Sequence, residues 1–353
     1  MKWFKRLFPV TLCAALLISA ASAAAPSLIA SNPNTDTDAS ETTGGQENTA
    51  QPISVRVWGT LTKLEDGGLQ LKNSGEMDGV INEIILHGEN IIFLDAVSGA
   101  PITLDDLSDG EMVYAYVSPV MTRSEPPQAT AYVVIGNIPA DFGIPAYYEI
   151  TDRTMISTLM TENNLISATL STDQGVDLTF NLTDQLDEEG NRQYILKDEV
   201  TIQSYPDNTE VSVNDLTPGT RILVWTDTSG NLSKVLVFPS IYSGYLKSSE
   251  DGTVLVNDQA LESKAISNSE GQFFLPIRAV CEALGYTVTW DNAAKAMTVS
   301  EGDTVLFSYV AGADAAQVNG QDLTLSAASL AQEGSTYLPA ADLARLLDLY
   351  LIP

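Results

Sequence analysis

Catalysis and metal binding draw on a short menu of side chains, and this 353-residue chain carries that menu unevenly: one His, two Cys and 46 Asp+Glu. His87 follows Ile84-Ile85-Leu86 and precedes Gly88 at an expected strand end. No nucleophile or ligand motif accompanies it, so a structural His is the better reading. A single His cannot supply a His-rich metal site, and two cysteines cannot build a four-cysteine zinc cluster. Cys281 falls on the apolar stripe of an expected helix, where burial silences a thiol. The chain has no Gly-x-Ser-x-Gly elbow, phosphate loop or Gly-x-Gly-x-x-Gly fingerprint. Among so many acids a carboxylate pair for glycoside hydrolysis stays open, but no spacing singles out two residues.

The densest acidic runs are Asp105, Asp106 and Asp109, and Asp184, Asp187, Glu188 and Glu189. Neither has the alternating Asp/Asn spacing and distal Glu of a calcium loop. Turn chemistry explains Asp-Leu-x-x-Gly better, with Asp bonding backbone amides and Gly taking positive φ. The expectation is therefore no catalytic residue, no cofactor and no metal site. Charge narrows the partners as well. With 17 Lys+Arg the formal net charge is −29, which repels phosphate backbones and makes nucleic acid an unsuitable partner.

The elements that must position these residues are short strands separated by turns. Val55, Val57 and Leu61 lead through Glu65-Asp66-Gly67-Gly68 into Leu69 and Leu71; Ile81–Leu86, Ile91–Leu94, Met112–Val117 and Ala129–Ile135 follow. Leu104-Asp105-Asp106-Leu107-Ser108-Asp109-Gly110 recurs as Val213-Asn214-Asp215-Leu216-Thr217-Pro218-Gly219, and Asp106→Asp215 and Gly110→Gly219 share one offset of 109. A duplicated module of about six strands is the natural reading, suited to a small antiparallel barrel or curled sheet. Tyr114, Tyr116 and the equivalent-strand Trp225 are expected to pack rather than to bind. A third echo, Gly244–Gly252, repeats the form of Gly59–Gly67 for one hairpin only.

A second duplication occupies the last hundred residues. Val256-Asn257-Asp258 recurs as Val318-Asn319-Gly320, and Phe274-Leu275-Pro276 as Tyr337-Leu338-Pro339. Each Pro reads as the first residue of a helix, with apolar stripes Ile277, Val280, Cys281, Leu284 and Ala340, Leu343, Ala344, Leu347. Gly285 reads as the left-handed cap of the first helix, and Tyr286, Val288 and Trp290 as the inner face of a half-buried strand turning at Asp291-Asn292.

This segment resembles the copper amine oxidase N-terminal-like (stalk) domain found in exported proteins of Gram-positive, spore-forming bacteria. The residues that carry the resemblance are Asn257, Phe274, Leu275, Pro276, Arg278, Gly285, Trp290, Asp291, Asn319, Gly320 and Pro339. It implies an α+β fold and structural roles for these positions. The second copy departs, with Ala341 in place of Arg278 and Asp348 in place of Gly285. The resemblance implies no oxidase activity. That chemistry needs histidine copper ligands and a tyrosine within Asn-Tyr-Asp/Glu, whereas this chain has only His87, in another module, and no Asn-Tyr pair.

The N-terminus supplies the location. Lys2, Lys5 and Arg6 precede an apolar stretch from Leu7 to Ala21, and Ala21-Ser22-Ala23 offers a small-x-small site, so residues 1–23 read as a signal peptide cleaved after Ala23. Cleavage removes three bases and no acid, shifting −29 to −32, and leaves Cys281 without a disulfide partner in the chain. The expected organisation is a signal peptide (1–23), a disordered leader (24–52), two β modules (53–139 and 146–239) and the stalk-type domain (240–353). The fold class is multi-domain and mainly β, two small antiparallel barrel-like modules followed by an α+β domain. The function expected is a secreted, non-catalytic envelope protein, free or wall-associated, with no membrane span after cleavage. Its partner would be wall polymer, a glycan or another surface protein. The alternatives are a wall-directed hydrolase with an unidentified carboxylate pair and an extracellular Ca2+-responsive scaffold.

Overall fold

The computed structural model describes residues 52–73, 81–159, 164–186, 189–190, 192–197, 199–249 and 251–352. The signal segment, Ala23 and the leader up to residue 51 lie outside them, as do Asp187 and Glu188. Among the described residues the chain is mainly β with barrel-like sheets and two short α-helices, as its sequence suggests.

The first section holds β1 (Val55–Lys63), β2 (Leu69–Lys72), β3 (Glu83–His87), β4 (Ile92–Asp95), β5 (Met112–Met121) and β6 (Gln128–Gly136). Strand pairing runs β3-β2-β1-β5-β6, and β3 then meets β6 to close a five-stranded ring. That order, with the closing pair parallel, is a Greek-key barrel of the OB type. β6 divides its outer edge: Gln128–Thr130 pair with β3, and Val133–Gly136 pair with β4, again in parallel. Alternation places Val57, Leu61, Leu69, Leu71, Ile84, Leu86, Val113 and Ala115 inside.

The second section repeats this plan in β7 (Ala146–Leu159), β8 (Asn164–Thr172), β9 (Asp177–Leu186), β10 (Arg192–Leu196), β11 (Thr201–Ser204), β12 (Arg221–Thr226) and β13 (Leu232–Val237). The order β10-β9-β8-β7-β12-β13-β11 reproduces the first section's β3-β2-β1-β5-β6-β4, with β10 added at one edge. Among the described residues β9 and β13 do not pair, so this sheet curls without closing. Leu94 on β4 lies beside Ile135, and its equivalent Gln203 on β11 lies beside Leu236.

The recurrent turn explains why the duplication folds alike. In each copy a single 3₁₀ turn (Leu104–Asp106, Val213–Asp215) precedes a glycine at φ +84°. Gly110 N–H donates to Leu61 O (2.8 Å) and Leu61 N–H to Glu111 O (2.8 Å); Gly219 N–H donates to Ile150 O (2.7 Å) and Ile150 N–H to Thr220 O (2.9 Å). Leu107 and Leu216 are buried beneath the turns. The landmark is thus a clamp of the chain onto the module's first strand.

The remaining strands are β14 (Gly244–Ser248), β15 (Val254–Val256), β16 (Gln259–Ala260), β17 (Ile266–Ser267), β18 (Phe273–Pro276), β19 (Thr287–Asp291), β20 (Ala296–Glu301), β21 (Thr304–Val310), β22 (Ala315–Val318), β23 (Gln321–Thr324), β24 (Leu330–Gln332), β25 (Ser335–Pro339) and β26 (Leu349–Leu351). Helices α1 (Ile277–Ala283) and α2 (Ala340–Leu346) follow β18 and β25 directly. Three small sheets, β16-β15-β14-β26, β17-β18-β25-β24 and β19-β20-β21-β22-β23, surround a core that includes Leu275, Ile277, Val280, Val299, Phe307, Leu338 and Leu343. The two copies of the duplicated tripeptide meet each other. Phe274 pairs with Pro339, Leu275 with Leu338 and Pro276 with Tyr337, a local two-fold centred on the leucines.

Two expectations need correction. Pro276 and Pro339 do not open the helices: each ends a strand in extended conformation (ψ 106° and 136°) and stands at the N-cap position, because the chain must finish its sheet pairing before it turns helical. Trp290 is 36% exposed rather than inward, and Val288 alone of that strand is buried. The single hairpin that echoes Gly59–Gly67 is formed by β14 and β15, and β14 also pairs in parallel with β26.

Candidate functional site

The residues that could have carried chemistry lie apart. His87 ends β3, half-buried, with its ring beside Gly68. Cys281 is fully buried in α1, where burial pushes its thiol up to about 12 and holds it in the unreactive protonated form. The acids of the first turn are engaged: Asp106 accepts from Thr103 N–H (2.8 Å) and Oγ1 (2.7 Å), and Asp109 accepts from Lys63 N–H (2.9 Å). These Thr103 bonds hold the Asp106 carboxyl below its usual range. Among the described residues no three His, Cys, Asp or Glu side chains gather as metal ligands, and no helix is long and apolar enough to cross a membrane.

The polar groups with the strongest constraints sit where the sections meet. Between the two barrels, Leu94, Ala96, Tyr116, Val133, Ile135, Tyr147, Leu223, Trp225, Leu236 and Phe238 form a separate buried cluster. Tyr116 and Trp225 occupy equivalent positions and act alike. Tyr116 donates to Pro145 O (2.7 Å), and Trp225 Nε1 donates to Ala96 O (2.7 Å). Burial raises the Tyr116 and Tyr147 hydroxyls to about 12, so both stay neutral. Lys234 crosses the same junction, reaching Ser98 O with its ammonium 5.0 Å from the centre of the Trp225 ring.

Next to this cluster lie two buried carboxyls, Glu149 (3% exposed) and Asp173 (5%). Burial pushes both upward, opposed at Glu149 by Arg221, whose Nε lies 3.2 Å from Oε2. Asp173 accepts the backbone N–H groups of Ile53 and Glu149, both at 2.9 Å, and so ties the entry to the first barrel onto the second. The pair is sealed from water and fully occupied in holding backbone and guanidinium, which is a structural arrangement rather than an open acid–base pair.

The second barrel meets the C-terminal section through charges and tyrosines. Arg153 donates to Asn214 O and to Asp258 Oδ2, both at 2.7 Å, and Lys247 donates to Asp152 at 2.7 Å. Tyr242 and Tyr350 meet edge to face, 5.2 Å between centroids, over Gly219, where any Cβ would lie 2.7 Å from the Tyr242 ring. Beside them opens a cleft of about 380 Å3 lined by Arg153, Thr217, Tyr242, Tyr245, Asn257 and Asp258 among others. Among the described residues it is the cleft taken as a candidate site.

Of the positions that carried the family resemblance, only Asn257 lines this cleft. Asn257 and Asp258 form the tight turn between β15 and β16 with both residues left-handed (φ 49° and 65°), as Asn319 and Gly320 do between β22 and β23 (φ 52° and 77°). Phe274, Leu275, Pro276 and Pro339 form the paired strands. Arg278 bonds Glu282 (3.2 Å) and Val288 O (3.0 Å), which joins α1 to β19. Gly285 takes φ 82° in a full helix-ending motif, its N–H on Glu282 O and that of Tyr286 on Cys281 O. Trp290 donates to Asn292, and Asp291 accepts from the amides of Ala293 and Ala294, making an exposed turn. Sequence reasoning missed Glu149, Arg153, Asp173 and Arg221. The available signal was scarcity, since Arg153 and Arg221 are two of only 17 basic residues.

With this geometry in hand, the comparisons are direct. Residues 255–350 match the model of the copper amine oxidase N-terminal domain. That domain is the non-catalytic, stalk-type accessory module. A protein of Brevibacillus choshinensis named "Protease inhibitor" is 36% identical over 98 residues, 27% of this chain and 29% of that protein. The chain therefore spans less than a third of that relative's length.

Proposed function

We propose that this chain is an exported, non-catalytic protein of the cell envelope, an interaction module or scaffold that holds wall polymer, a glycan or another surface protein. The observation that supports it best is where the buried polar groups are: Trp225 and Asp173 bond the second barrel to the first, Tyr116 bonds the segment that enters the second, and the Glu149–Arg221 pair braces the neighbouring strands β7 and β12 beside that junction. A chain whose costly buried groups brace its junctions suits a spacer that must keep sections in fixed relation. The stalk-type match over residues 255–350 points the same way. The signal-like N-terminus supplies the export half of the reading. At −29 overall, contact with anionic wall polymers would need divalent-cation bridging or specific contacts that outweigh repulsion.

The test is co-sedimentation of the purified mature chain with isolated cell walls, with and without millimolar Ca2+. Sedimentation in both buffers supports direct attachment, and sedimentation with Ca2+ alone supports the calcium-responsive scaffold. A chain that stays in the supernatant throughout removes the wall-bound version, and release of soluble wall fragments replaces the whole reading with a hydrolase. The relative named "Protease inhibitor" motivates a second reading, in which the surface partner is a protease. Titration of trypsin- and subtilisin-type proteases tests it: unchanged activity at equimolar chain removes it.

A further inference from the structure

We infer that the cleft between the second barrel and the C-terminal section binds a neutral glycan of one or two sugar rings; this deepens the envelope reading above and rests on it. The size fits, since about 380 Å3 lies at the lower end of the ~300–1,000 Å3 typical of small-molecule sites. So does the electrostatics. The two ionic groups in the wall, Arg153 and Asp258, are bonded to each other at 2.7 Å, so the cleft offers no net charge to an ion. An anion would also meet the field of a chain at −29, and a cation would have to displace the guanidinium from its carboxylate.

The wall has the groups a polyol needs. The guanidinium, carboxylate and amide ends of Arg153, Asp258 and Asn257 line the wall, and beyond the bonds they make to Asn214, to Tyr245 and to each other they keep the further donor and acceptor capacity that hydroxyls use. Asn257 Oδ1 accepts the Tyr245 N–H at 2.9 Å, which leaves Nδ2 as its donor end. Half-buried Tyr242 adds a rigid ring with a polar tip, and the C–H edges of a sugar ring complement the negative face of an aromatic. The geometry is held from three directions. Arg153 sits on β7, the Asn257-Asp258 turn is locked left-handed, and the Tyr242 ring is packed against Tyr350.

Calorimetric titration of the full mature chain tests this, with chitobiose and cellobiose as neutral probes and glucose 1-phosphate as the charged one. Saturable one-to-one binding of a neutral disaccharide is expected. Asn257→Ala should weaken it roughly ten-fold, the scale of losing one partner of a buried polar contact. Ser243→Trp, which fills the cleft from an exposed position, should abolish it, and Trp290→Ala, outside the cleft, should leave it unchanged. Thermal melts of each variant separate lost binding from lost folding. No heat with either neutral probe, binding of glucose 1-phosphate alone, or binding indifferent to Asn257→Ala and Ser243→Trp in folded variants would each overturn the inference. If the chain sediments with walls but ignores both disaccharides, this site falls and the envelope reading stands; disaccharide binding without sedimentation keeps the site and removes the wall-bound version.

Discussion

Trp225 Nε1 and the carbonyl oxygen of Ala96 lie 2.7 Å apart, although 129 residues separate them in sequence. The bond links the second barrel to the first inside an otherwise apolar cluster, where Gly99 lets the chain pass within van der Waals contact of the indole. Trp225→Phe keeps most of the packing but leaves the Ala96 carbonyl without its donor, an expected loss of about 1–3 kcal/mol. Trp225→Ala should cost about 3–5 kcal/mol. Urea unfolding followed by two probes, one in each barrel, should show the transitions separating in the alanine variant; coincident curves would mean that the junction is not what couples them.

The duplicated glycines should differ in tolerance. Gly110 and Gly219 share φ +84°, but a Cβ at Gly110 meets open space, whereas one at Gly219 lies 2.7 Å from the Tyr242 ring and 2.8 Å from Tyr350 Cβ. Gly110→Ala should cost only the left-handed penalty, about 1–2 kcal/mol. Gly219→Ala should add overpacking of about 1–3 kcal/mol. Equal losses in thermal melts would show that the tyrosines yield freely.

The Glu149–Arg221 pair sets a pH dependence of definite sign. Burial raises Glu149 above its unfolded-state value despite the opposing guanidinium, so its contribution is fully present below the ordinary carboxylate range and is lost as pH rises through the folded value. Glu149→Gln cannot titrate, so its stability relative to the parent should improve across that window. Arg221→Met leaves the carboxylate unpaired at 3% exposure and should cost about 3–5 kcal/mol at neutral pH, less in acid. Parallel stability–pH profiles for parent and Glu149→Gln would contradict the sign.

Asp348 stands one residue past the α2 cap with φ 51°, where the first copy has Gly285 at φ 82°. Its backbone oxygen accepts from Ser243 N–H at 2.7 Å, a bond that glycine would keep. Asp348→Gly should therefore raise stability by about 0.5–1 kcal/mol, read as a higher melting temperature. A lower one would show that the side chain has a role beyond the turn.

The local features of this fold were legible. The hairpin through Glu65–Gly68, the Gly285 cap and the 3₁₀ turns at Leu104–Asp106 and Val213–Asp215 announce themselves because their chemistry lies within a few residues. Partners distant in sequence did not. The parallel closure of β3 on β6 and the pairing of Leu275 with Leu338 depend on strands that carry no local mark of their neighbour. Pro276 misled because a proline before a helical stripe fits the N-cap as well as the first turn, and only sheet pairing distinguishes the two. The cleft was half visible. Asn257 stood out as a motif residue, whereas Arg153 and Tyr242 reach it from outside the duplicated segment.

The parallel pairing of β14 with β26 brings Leu246 beside Leu351, so the C-terminal section's opening strand finds this neighbour only in one of its last. Roughly a hundred residues of chain lie between the two strands, so the pairing closes a long loop and carries its closure entropy. Until then β14 has β15 on one side and a bare edge on the other. The same strand borders the cleft at Gly244 and Tyr245. A chain clipped before Leu349 would therefore leave β14 with an open edge directly beside the cleft.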